Sequence, residues 1–107
     1  MNSKEEILSF IKSVRNSKNI VKLYEYKSNL TIIGLNIDTL KSRRELKQDD
    51  IDTIVLELIK KFSKLTNVKY KYDGNYMDII NAISSDLDNK ISDDFLGQIL
   101  KNYSKNN

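Results

Sequence analysis

Apolar positions near the start of the chain, Ile7, Leu8, Phe10, Ile11 and Val14, recur at three- and four-residue spacing, with Lys12, Ser13 and Arg15 on the remaining surface. That spacing predicts an amphipathic helix to about Asn16. Ahead of it, Ser3-Lys4-Glu5-Glu6 has the form of a capping box, in which hydroxyl and carboxylate each satisfy a backbone N–H. Past Ser17-Lys18-Asn19 the pattern changes. Residues 20–27 and 30–37 are rich in β-branched and aromatic side chains and alternate, most regularly at Ile33, Leu35 and Ile37, which predicts a β-hairpin turning at Ser28-Asn29. Leu40 to Lys47 reads as a loop. Asp49 or Asp50 then caps the strongest helix, with Ile51, Ile54, Val55, Leu58, Phe62 and Leu65 inside and Lys60, Lys61 and Lys64 outside, stopping at Asn67.

Val68 to Tyr72 alternates as a strand does, setting Tyr70 and Tyr72 toward the core, and ends at the turn dipeptide Asp73-Gly74. Two short helices are expected after it. The first, capped by Asn75, carries Met77, Ile80, Ile83 and Leu87 and stops at Asp88-Asn89-Lys90. The second opens at Ser92, places Asp93 and Asp94 at the positive end of the helix dipole, and turns Leu96, Ile99, Leu100 and Tyr103 inward. The expected order is α-β-β-α-β-α-α, an α+β fold of winged helix-turn-helix type in one domain, 1–107. Its hairpin precedes the helix-turn-helix instead of following it. Helix 1, outside such a core, is the candidate homodimer surface.

Composition narrows the chemistry. With 107 residues there is room for one core, and the chain contains neither Cys nor His. Disulfides, thiolate metal sites and the commonest general base are therefore excluded. No nucleophile-and-base pair or glycine-rich phosphate loop is present, so an enzyme is not expected, nor a cofactor or bound metal. Asp86, Asp88, Asp93 and Asp94 lack the spacing of a calcium loop and read as helix caps. No apolar run approaches the ~20 residues of a membrane span, and a cytoplasmic protein without membrane contact is expected. The formal charge is +3 but uneven: residues 1–47 hold 10 Lys/Arg against 5 Asp/Glu, and residues 48–107 hold 8 against 10.

Three groups of residues are candidates for contact with double-stranded DNA. Gln98, Lys101, Asn102 and Lys105 form the outer face of the last helix, where amides pair with adenine and lysines reach guanine or phosphate. Lys22, Lys27 and Asn29 belong to the expected hairpin. Lys41, Arg43, Arg44 and Lys47 make the most basic short segment, and paired arginines can fork onto phosphate. Against each stands a plain explanation: solvated helix face, polar turn, solubilising loop.

Gly74-Asn75-Tyr76-Met77-Asp78-Ile79-Ile80-Asn81-Ala82-Ile83, followed by Ile91-Ser92 and Leu96-Gly97-Gln98-Ile99-Leu100-Lys101, resembles the helix-turn-helix of winged-helix modules in phage and plasmid replication proteins. Size and composition are also similar to those of the small winged-helix accessory factors of clostridial conjugative plasmids. The resemblance implies a homodimer that binds repeated DNA sites, at an origin of transfer or replication, a partition site or an operator, beside other plasmid or phage proteins. A small protein-binding adaptor or inhibitor is the competing expectation, because the charge is nearly balanced and the last helix begins with two acids.

Overall fold

In the computed structural model, which describes residues 2–106 and their side chains as far as Ser104, the chain forms four helices: α1 (Lys4–Ser13), α2 (Ile20–Ser42), α3 (Gln48–Thr66) and α4 (Tyr76–Asn106). No strand occurs among the described residues. The α+β expectation is thereby overturned, and with it the winged-helix architecture, which needs a β wing.

Each departure has a local cause. The expected hairpin is α2, a single helix, because Leu23, Tyr26, Leu30, Ile33, Ile37 and Leu40 keep alternating three- and four-residue steps across the supposed turn and all are buried. Ser28-Asn29 has no glycine to impose a reversal. Val21, Tyr24, Ile32 and Leu35, which fill out the apparent alternation, lie on the opposite, exposed face. The expected break at Asp88-Asn89-Lys90 is absent: α4 runs through it, carried by the four-residue row Ile83, Leu87, Ile91, and Asp88 pairs with Lys27 of α2. Val68 to Tyr72 is extended but pairs with no other strand.

Other expectations hold in detail. Ser3 caps α1, its hydroxyl oxygen accepting the Glu6 N–H at 3.2 Å, although α1 ends at Ser13, short of Asn16. Asn75 caps α4 by accepting the Met77 and Asp78 N–H groups at 3.0 and 3.3 Å. α3 stops at Asn67, whose left-handed φ of 58° ends the helix; its N-cap is Lys47, not Asp49 or Asp50, and Asp50, three residues in, accepts the Lys47 N–H at 2.9 Å. Gly74, at φ 101°, makes the turn into α4.

The core is entirely apolar, with Phe62 of α3 at full burial and Tyr26 of α2 set edge-on to it at 6.2 Å. Ile7 and Ile11 of α1 and its C-cap Val14 are spent on this core, so helix 1 lies within the core and not outside it. Contacts fix the helix directions. Lys4 meets Asp50 at 2.8 Å and Lys61 donates to the Lys12 carbonyl at 3.2 Å, so α1 and α3 run parallel. Tyr76 meets Asp38 and Lys27 meets Asp88, so α4 runs antiparallel to α2. Gly34 makes their close approach possible: a Cβ there would stand 3.2 Å from the Met77 sulfur.

The segment from Asn67 to Asn75 travels back along the bundle as a strap. Its tyrosines are anchored in turn: Tyr70 donates to Asp86 at 2.8 Å and contacts the Thr66 hydroxyl, and Tyr72 donates to Asp52 at 2.6 Å. Tyr76, just beyond it, donates to Asp38. Both strap rings pack on the core edge, and Val68 stays exposed. Asp86 and Asp88 thus serve as a hydrogen-bond acceptor and an ion-pair partner, not as helix caps.

Candidate interaction surface

The long axis of the molecule measures 60 Å against 24 and 19 Å across, and α4 accounts for that shape. At ~1.5 Å per residue a 31-residue helix is about 46 Å long. Its antiparallel neighbour α2 begins only at Ile20, and Lys18 and Leu23 lie beside Lys90, Asp93 and Asp94. Beyond that level no described residue packs against α4. Ile91 is its last buried residue among those described, and every described side chain from Ser92 to Ser104 is exposed.

The projecting arm is nevertheless amphipathic. The buried row Ile83, Leu87, Ile91 continues at the same spacing through Phe95, Ile99 and Tyr103, joined by Leu96 and Leu100. These five arm residues are 48% to 69% exposed. On a helical projection they share one face, while Asp94, Gln98 and Lys101 occupy the other. Five large apolar side chains exposed on one free-standing helix exceed the scattered surface leucines of ordinary proteins.

Where the arm leaves the bundle, Tyr24, Ile91, Ser92, Phe95 and Leu96 line a groove of about 420 Å³. Through Tyr24 this groove adjoins the outer apolar stripe of α2, formed by Val21, Tyr24, Ile32 and Leu35. Arm and groove meet at Tyr24 at one end of the molecule, and Ile32 and Leu35 lie farther along α2.

The residues expected to touch DNA do not converge. Lys22, Lys27 and Asn29 lie on the first half of α2, where Lys22 pairs with Glu25 at 3.5 Å and Lys27 with Asp88. Lys41, Arg43, Arg44 and Lys47 do come together, at the α2–α3 turn, with Arg44 in the left-handed region at φ 60° and Lys41 Nζ 5.7 Å from the Tyr76 ring centre. Gln98, Lys101 and Asn102 stand on the arm, at the opposite pole from that turn. The Lys105 side chain lies outside the described residues. Among the described residues the turn expected between two short helices is absent, because α4 is continuous from Tyr76 to Asn106.

Sequence reading misassigned the surface rather than overlooking its residues. Leu96, Ile99, Leu100 and Tyr103 were expected to face a core, and Phe95 was given no role. Their exposure follows from α2 beginning at Ile20, a tertiary arrangement that residue spacing does not carry. Among the described residues no cluster of three or more carboxylates gathers for a metal ion, and no helix is long and apolar enough to cross a membrane.

Comparisons with protein-family models, with curated proteins and with solved structures each return no match.

Proposed function

We propose that this chain is a non-enzymatic protein-interaction module that uses the projecting half of α4 as its docking element. The observation carrying this reading is the arm itself: an amphipathic helix whose apolar face is continuous with the core row yet lies wholly in solvent. Helix-in-groove and helix-on-helix recognition both read such i, i+3, i+4 anchors. A helix of this length without tertiary support is marginal in water, which favours a role completed on binding. The test is photo-crosslinking in cells from position Ile99, with Glu57 of α3 as the control position. Discrete protein adducts at Ile99 that vanish with Leu96→Asp are expected; equal, diffuse labelling at both positions would defeat the proposal.

A second reading, contact with double-stranded DNA, is favoured by one observation: Lys41, Arg43, Arg44 and Lys47 are all exposed on a single turn. Phosphate anchoring there would give binding that weakens steeply with salt. Fluorescence anisotropy on duplex DNA with salt varied should then show a steep loss that is shallower in Arg43→Ala/Arg44→Ala. Absence of binding at low salt would end this reading.

A further inference from the structure

We infer that the partner of the arm is a second copy of this chain, laid antiparallel so that each arm tip enters the groove at the root of the other arm. This rests on the docking role just proposed and names its partner.

Self-complementarity comes first. A two-fold interface must present the same patch from both sides, with whatever projects on one copy received by the other. The arm has both halves: Leu100 near its tip as the projection, and the groove between Tyr24, Ile91 and Phe95 at its root as the receiver. Leu100 and Phe95 lie five residues apart, so an antiparallel overlap centred between them brings projection to groove twice.

Register follows from the sequence. Centring the pair on Gly97-Gln98 sets Leu96 against the partner's Ile99 and Phe95 against the partner's Leu100. No arm charge enters the apolar seam. Asp94 and Lys101 remain on the outer faces in water, and Asp93, beside the stripe, lies level with the partner's Asn102. A parallel pair would set Asp93 level with its own copy instead, which disfavours that orientation.

Area is sufficient. At on the order of 100 Å² for each of five large apolar side chains, the two arms together remove about 1,000 Å² from water, the lower bound for a specific interface. The root groove and Val21 of α2 add to that sum.

The test uses the full chain in sedimentation equilibrium over a wide concentration range. A reversible dimer is expected, and Leu96→Asp or Leu100→Asp should raise its dissociation constant about a hundredfold or more. Both sites are exposed, so at concentrations where wild type is also monomeric the helix content and thermal midpoint should match it; Gln98→Ala, on the outer face, should leave dimerisation intact. Because the chain has no cysteine, single labels are clean probes of orientation. Spin labels at Gln98→Cys should stand level with each other on opposite outer faces, and labels at Ser104→Cys should be separated by roughly 20 Å along the helix axes at ~1.5 Å per residue. Close approach of the Ser104→Cys labels would overturn the antiparallel arrangement. A monomer at every concentration would overturn the second copy as occupant. In that event, discrete adducts from Ile99 would keep the docking role and indicate a foreign partner, binding to anionic vesicles alone would indicate a membrane surface, and neither would remove the docking role as well.

Discussion

Tyr70, Tyr72 and Tyr76 each hand a phenol proton to an aspartate, and the pairs tie the strap and the start of α4 to α4, α3 and α2 respectively. Burial first, and the neighbouring carboxylate second, push Tyr72 and Tyr76 up to about 12, and Tyr70 is raised by the same desolvation. An acid whose folded value lies above its unfolded value of ~10 stabilises the fold below pH ~10 and loses that contribution as the pH rises toward the folded value. Thermal midpoints should therefore decline from about pH 10 toward 12. The acid side has the opposite sign. The hydroxyl of Tyr72 holds Asp52 below the usual carboxylate range, and Lys4 does the same for Asp50, so their stabilisation is present above pH ~4 and is lost as the pH falls through the lowered values. A pH series of melts on Asp52→Asn should show a smaller acid loss than wild type. Tyr70→Phe, which removes a hydrogen bond between strap and α4, should cost about 1 kcal/mol in urea denaturation. At Gly34 a larger side chain has to displace Met77, so Gly34→Leu should destabilise by roughly 1–3 kcal/mol.

At the scale of elements, α4 divides at Ile91 into a packed half and a free half. Gly97 lies in the free half with nothing near the position a Cβ would take, so Gly97→Ala should strengthen the arm by about 1 kcal/mol of local helix stability. Amide exchange should slow at residues 94–101, and the bundle's own unfolding should be unchanged. The same division explains what was legible in the sequence. α1 and α3 could be read because their apolar residues sit on one face and their ends carry capping groups: Ser3 for one, the Asp50 carboxylate and Asn67 for the other. α2 was misread because Val21, Tyr24, Ile32 and Leu35 put apolar groups on its outer face as well, and a helix apolar on two faces can mimic a strand's alternation over a short window. Asp88-Asn89-Lys90 looked like a stop because it is polar. Yet each of the three tolerates a helical backbone, and the row from Leu87 to Ile91 spans them. The arm's residues were visible from the start; their exposure depended on α2 beginning at Ile20, a tertiary fact absent from local pattern.

For the molecule as a whole, the core is complete without the arm. At concentrations too low for assembly, a chain ending at Ser92 should keep the wild-type thermal midpoint to within a few degrees, since no described residue beyond it is buried. Should that truncation unfold, the arm would have to contribute to the bundle in a way its exposure contradicts.

An α-helix is also a stiff beam. The same ~46 Å rod, unbroken by glycine kink or proline between Tyr76 and Ile91, carries both the docking face and the ridge that seals the core against α2. Clamping its outer end suppresses fraying of the helix at Ile91 and Leu87, and a looser bundle in turn weakens the grip of whatever holds the arm, by the same free energy. Fold stability and complex affinity are then two readings of one coupled equilibrium. A core substitution far from the arm would register as weaker assembly, and occupancy of the arm as slower opening of the core.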